Sequence, residues 1–158
     1  MSNRLVILLL SLTLLSSCGF KLRGNFEMPE QLTQVTIDGG EREFTDQLTE
    51  VLVKNGSSVV EGGAEASTIS ITKSEFERFV RTKDSQGLAT GFAYRYVIDF
   101  HVNDKEGEKL LASSTVSQFR TQEYESGNEL EVEKEEEFLK EEMVKELVLQ
   151  MVRRLARI

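Results

Sequence analysis

The stretch from Phe92 to Asn103 constrains this chain more than any other. Phe92, Tyr94, Tyr96, Ile98, Phe100 and Val102 alternate with Ala93, Arg95, Val97, Asp99, His101 and Asn103. A strand turns successive side chains to opposite faces, so the pattern predicts one apolar face and one mostly polar face. A half-apolar strand cannot stand alone. It needs neighbouring strands and a second layer over its apolar side.

Both are legible nearby. Asp104-Lys105-Glu106-Gly107 reads as a hairpin turn, with Gly107 supplying positive φ, and Lys109 to Gln122 returns as the partner strand with Val116 and Phe119 among its apolar members. Upstream, Thr68 to Thr82 reads as a long strand. Ile69 and Ile71 share one face with Phe79, whereas Phe76 and Val80 fall on the other, so either a bulge lies near Lys73 to Glu75 or both faces are partly covered. Asp84 to Thr90 is polar and contains Gly87, which predicts a loop.

The second layer is supplied by helical periodicity. From about Asn128 onward, Leu139, Met143, Leu147, Met151 and Leu155 recur every fourth residue, and Val144, Val148 and Val152 widen the stripe. Glu133, Glu135, Glu136 and Glu137 fall early and Arg153, Arg154 and Arg157 late, an order that complements the helix dipole. A second helix is predicted from about Glu41 to Asn55 on Phe44, Leu48, Val51 and Leu52, after a short strand from Gln34 to Asp38. Val59 and Val60 begin an extended piece that Gly62-Gly63 interrupts. The order β-α-β-β-β-α predicts an α+β two-layer sandwich, with two helices packed on one face of a mainly antiparallel sheet and the other face free for a partner.

The first residues obey a different logic. Arg4 precedes the apolar run Leu5 to Leu10, Leu12, Leu14 and Leu15 extend it, and Ser16 and Ser17 lead to Cys18. A basic start, an apolar stretch too short to span a bilayer well and small residues at a cleavage point predict an export signal over residues 1–17. Leu15-Ser16-Ser17-Cys18 resembles the bacterial lipobox, which implies acylation of Cys18 and several acyl chains holding the protein to a membrane. Gly19 rather than Asp follows, which favours the outer membrane of a Gram-negative cell. Residues 18–30 then read as a lipidated tether and 31–158 as one folded domain. With Cys18 modified there is no free thiol and no intrachain disulfide, so stability rests on packing.

Composition and spacing exclude several functions. Removing Arg4 leaves 18 basic residues against 27 acidic ones, a net of −9, which argues against non-specific nucleic-acid binding. His101 is the single histidine, on the side of its strand opposite the core face. One histidine and no free cysteine leave the common hydrolytic triads and zinc sites without members. Glu133 to Glu142 lacks the spaced oxygen ligands and glycine of a calcium loop, and reads as a solvated helix start. No phosphate loop or dinucleotide fingerprint is present. The expectation is a non-enzymatic protein without cofactor or metal. A carboxylate-based enzyme is the remaining catalytic class.

Cys18-Gly19-Phe20-Lys21-Leu22-Arg23-Gly24 looks like the mature start of the LptE family of lipopolysaccharide-assembly lipoproteins. Ala93-Tyr94-Arg95-Tyr96 opening a strand, and Glu133 to Met143 opening a long helix that ends near Arg153-Arg154-Leu155, are similar to the same family. The resemblance implies a protein that sits in the lumen of an outer-membrane barrel, LptD, acts as plug and assembly aid, and helps move lipopolysaccharide to the outer leaflet. A lipoprotein regulator of a cell-wall synthase, or an accessory of barrel-insertion machinery, is the competing class.

Within that frame, direct binding of lipopolysaccharide requires local cations for the lipid phosphates. Arg78, Arg81 and Lys83 lie along the end of the long strand, Lys134 opens the last helix, and Lys21 and Arg23 lie beside the anchor. Arg95, Asp99 and His101, on the polar side of the clear strand, are the candidates for contact with a polar barrel lumen. Solvated surface is the plain alternative for both groups.

Replacing Cys18 by Ser removes the acylated thiol. The variant is expected to remain uncut by the lipoprotein pathway and to carry no acyl chains. Intact-mass measurement decides: an unmodified Cys18 in the parent protein, or a mature chain retaining Leu5 to Leu15, contradicts the anchor.

Overall fold

A computed structural model describes residues 26–63, 65–124 and 129–158. After a single 3-10 turn at Glu30–Leu32, the elements run β1 (Gln34–Asp38), α1 (Arg42–Lys54), β2 (Ser58–Val59), β3 (Ser67–Lys83), β4 (Ala89–Asn103), β5 (Lys109–Glu123) and α2 (Glu129–Leu155). The strands form one sheet in the order β2-β1-β3-β4-β5. β1 pairs in parallel with β2 and β3, and β3, β4 and β5 form a long antiparallel meander. The extended piece at Val59 is thus a fifth, very short strand. Cys18, Lys21 and Arg23 lie outside the described residues.

The two hairpins of the meander use the same turn. Asp104 Oδ1 accepts hydrogen bonds from the backbone N–H of Glu106 (2.9 Å) and Glu108 (2.7 Å). Asp84 Oδ1 accepts from Gln86 and Leu88, both at 2.9 Å. Gly107 and Gly87 take the left-handed conformation at the matching positions. An aspartate that satisfies two turn amides, followed three residues later by glycine, closes both. The segment read as a loop from Asp84 to Thr90 is therefore a tight hairpin, and Ala89 already belongs to β4.

β3 first changes parity between Ile71 and Lys73. Ile69 pairs with Val102 and Ile71 with Phe100, but the next partner of Asp99 is Lys73, with a register shift between Ile71 and Lys73. The extra residue places Phe76 opposite Tyr96 and Val80 opposite Phe92, on the same side as Ile69 and Ile71. Phe79 is thereby sent to the opposite side, opposite Ala93. The bulge, and not a doubly covered strand, explains the broken alternation.

Both helices contribute to one core. Tyr94, Tyr96, Ile98, Phe100 and Val102 of β4 are fully buried with Phe44, Leu48 and Leu52 of α1 and Met143, Leu147, Met151 and Leu155 of α2. Val144, Val148 and Val152 are buried as well. Phe26 and Met28, in the stretch read as a tether, lie against this cluster, and Phe26 N–H donates to Asn55 Oδ1 at 2.6 Å. Gly39, at φ +75°, turns the chain from β1 toward α1. A Cβ there would lie 2.5 Å from the Ile71 carbonyl oxygen, so the turn passes against the strand only without a side chain.

Leu147 has no exposed surface. Leu147→Ala removes apolar atoms from the middle of the helix–sheet contact and is expected to cost roughly 2–5 kcal/mol. Denaturant unfolding measures the difference; a loss under about 1 kcal/mol would contradict the packing described.

Candidate functional site

The helix-covered side of the sheet ends in an aromatic cluster held by cations. Phe76 lies 5.9 Å from the Tyr94 ring in a stacked arrangement and 5.6 Å from Tyr96 edge-on. Phe92 meets Tyr124 edge-on at 5.6 Å. The Tyr94 and Tyr124 hydroxyls are hydrogen-bonded at 2.9 Å. Arg78 lies over the Phe92 ring at 5.0 Å while its guanidinium donates to Glu136 of α2 at 2.5 Å. One arginine thereby joins β3, β4 and the long helix.

A second cation closes the next layer. Lys140 Nζ of α2 donates to Glu41 Oε2 at 3.0 Å, lies 3.7 Å from Glu43 and sits 5.7 Å from the Phe76 ring centre. Tyr96 donates to the same Glu41 oxygen at 3.2 Å and lies 3.3 Å from Ser74 Oγ. Burial is the largest single influence and works against the Lys140 ammonium, but the bond and the charge of Glu41, with Tyr96 and Glu43, together outweigh it and its pKa ends above the ordinary value. Farther along, Arg120 of β5 pairs with Glu146 at 2.7 Å and Arg154 donates to Ser114 Oγ. These pairs tie α2 to β3, to the start of α1 and twice to β5, so the helix is fixed along its length as well as by its apolar stripe.

Among the described residues the other face of the sheet carries no helix. In register from β3 to β5 it presents Lys73, Asp99 and Thr115, then Glu75, Val97 and Ser117, then Glu77, Arg95 and Phe119, then Phe79, Ala93 and Thr121. Arg95 donates to Glu77 through Nε at 2.9 Å and through Nη2, and lies over the Phe79 ring at 5.7 Å. Thr115 Oγ1 donates to Asp99 Oδ1 at 2.5 Å, and Lys73 pairs with Glu75 at 2.6 Å.

These placements divide the candidate residues. Arg95, Asp99 and His101 share the open face, with Arg95 exposed and the other two partly buried. Arg78 faces the helix side and is engaged by Glu136. Arg81 and Lys83 are exposed at the end of β3, where the register shifts twice more, and neither has an ion-pair partner among the described residues. Lys134 is exposed and precedes Glu136 by two residues, about 200° round the helix axis, so it is not brought to Arg78. Lys140 and Glu41, 99 residues apart, were invisible to sequence reasoning. Phe79 and Phe119 read in the sequence only as strand members. Among the described residues no group of three or more His, Cys, Asp and Glu side chains is placed to hold a metal ion.

The buried phenols give this end of the core a pH signature. Burial, followed by the bond to Tyr124, raises the Tyr94 pKa far above 10, and burial raises Tyr96 as well. The neutral phenol is favoured in the folded state, so this stability is complete below about pH 10 and is lost as pH rises above it, where unfolded tyrosine ionises first. Tyr94→Phe is expected to flatten the fall in melting temperature between about pH 9 and 11. A fall as steep as the parent's would show that Tyr94 does not contribute.

The family model for LptE: Lipopolysaccharide-assembly matches residues 30–155. No curated protein matches the chain. Among solved structures, it is similar to lipoprotein B from Nitrosomonas europaea at 26% identity, covering 87% of this chain and 90% of that one with a TM-score of 0.69. A minor lipoprotein from Acinetobacter baumannii shares the fold at 16% identity, over 80% of this chain and 92% of that one, with a TM-score of 0.68. So does the rare lipoprotein B from Shewanella oneidensis at 17% identity, over 78% and 94%, with a TM-score of 0.68.

Proposed function

The chain belongs to the LptE family of lipopolysaccharide-assembly proteins, and from that premise we propose that it is an outer-membrane lipoprotein, anchored through acyl chains on Cys18, that occupies and helps assemble the LptD barrel. It aids delivery of lipopolysaccharide to the outer leaflet and performs no chemistry of its own. The observation that carries this reading is the family match over nearly the whole folded domain. A sheet face that neither helix covers supports it, because a lumenal plug needs surface beyond its own core.

Arg95, Asp99 and His101 on that face supply polar contacts suited to a barrel interior. Lipopolysaccharide phosphates are assigned to Arg81 and Lys83 first, because these exposed cations have no carboxylate to displace among the described residues. Lys134 offers a further charge from the start of α2. Arg78 contributes only by exchanging Glu136 for phosphate.

Two measurements test the reading. Depleting the protein is expected to lower the amount of correctly assembled barrel, and normal barrel assembly without it refutes the plug and assembly role. The detergent-solubilised mature protein is expected to bind lipopolysaccharide about tenfold more weakly as Arg81→Ala with Lys83→Ala, the gap widening at low salt. Equal binding by parent and double variant across salt concentrations places the lipid elsewhere.

A further inference from the structure

The open face of the sheet is not uniformly polar. Two of the largest exposed apolar side chains of the described residues stand on it, Phe79 at 44% and Phe119 at 58% exposure. They flank one guanidinium. Arg95 lies over the Phe79 ring, and Phe119 is directly opposite Arg95 in the β4–β5 pairing. Phe79 in turn pairs with the buried Ala93, and Ala93 with Thr121 on β5. Single exposed apolar residues are ordinary. Two rings around an arginine, on a face that no helix among the described residues covers, have the composition of an interface centre.

The charges of this face say what kind of surface fits it. Lys73 is closed by Glu75, Arg95 by Glu77, and Asp99 by the Thr115 hydroxyl. An anionic headgroup arriving here meets cations already neutralised, and it has to displace carboxylates to gain contact. An uncharged surface loses nothing and gains the two rings. Two of the cations without such partners among the described residues, Arg81 and Lys83, stand at the strand end.

We propose that Phe79, Arg95 and Phe119 form the protein-contact centre of this lipoprotein, seating an uncharged aliphatic or aromatic ridge of the barrel partner's wall, while phosphate-bearing lipid is handled apart from it. This rests on the barrel-plug reading above and adds to it the residues that hold the partner. The rings act as hot spots. Arg95, held by Glu77 and stacked on Phe79, orients the first ring and presents its flat edge to the partner. Asp99 and His101 belong to the polar rim.

The test uses the full mature lipoprotein co-produced with the barrel and recovered in detergent. Phe79→Ala with Phe119→Ala is expected to lower recovered barrel about tenfold or more. Phe138→Ala, which removes a ring 62% exposed on α2 in the other layer, is expected to recover barrel as the parent does. Melting curves at the parent's temperature show that the variants are folded. Undiminished recovery by the folded double variant overturns the contact centre while leaving the plug reading intact. Failure of the parent itself to recover barrel overturns both. If the double variant keeps the barrel and loses lipopolysaccharide instead, the face is a lipid site and the proposal is wrong.

Discussion

One extra residue in β3, between Ile71 and Lys73, gives the molecule its two unlike faces. Before it, β3 sends Ile69 and Ile71 into the core. After it, Ser74, Phe76, Arg78 and Val80 take that side, and Lys73, Glu75, Glu77 and Phe79 take the other. Without the shift, Phe76 would leave its place between Tyr94 and Tyr96, and Phe79 would point at the long helix. A register change of one residue exchanges every side chain beyond it. The bulge therefore fixes both the aromatic end of the core and the aromatic patch on the open face.

The two faces use the same residue types for opposite ends. On the covered side, Arg78 and Lys140 lie over rings and reach carboxylates of other elements, so each cation joins three parts of the chain. On the open side, Arg95 also lies over a ring and also meets a carboxylate, but Glu77 is its neighbour across one strand pair. The first arrangement fixes long-range packing. The second only orders a local surface, and exposed pairs of this kind add little to stability. What they do is remove charge from the face, and that shapes which partner it accepts.

The sequence revealed periodicities well and long-range partners not at all. The alternation through Val102 and the stripe through Leu155 led directly to the buried set, since burial follows from local pattern once the fold class is known. The irregularity in β3 was visible as a conflict between Ile71 and Phe76, and a bulge was one of its two resolutions. The Asp84 turn repeats the chemistry of Asp104, but its hairpin is legible only when Gly87 is read together with the aspartate three residues before it. Glu41 and Lys140 carry no local sign of one another, as neither spacing nor charge order reports a contact across 99 residues. The candidate cations were legible as residues. Which of them were already engaged was not, and that distinction separates Arg78 and Arg95 from Arg81 and Lys83.

The net charge of −8 stands at odds with any role involving an anionic lipid, but charge acts over a limited reach. At physiological ionic strength the screening length is about 8 Å. The acids Glu65, Asp104 and Glu106 border the other end of the sheet, and β3 spans 17 residues, roughly 55 Å at the rise of an extended strand. They are therefore several screening lengths from Arg81 and Lys83 and do not set the potential there. The acids that do matter are nearer: Asp84, whose carboxylate accepts two turn amides, Glu123, whose strand position pairs with Gly91 beside Thr82, and those early in α2, of which Glu136 is already bound to Arg78. A chain can thus be acidic as a whole and still offer a short cationic end, provided its other basic groups are neutralised where they stand. Lys73, Arg95, Arg120 and Lys140 meet that condition. The same pairing that makes the open face electrically quiet leaves the strand end as the place where an anion gains most.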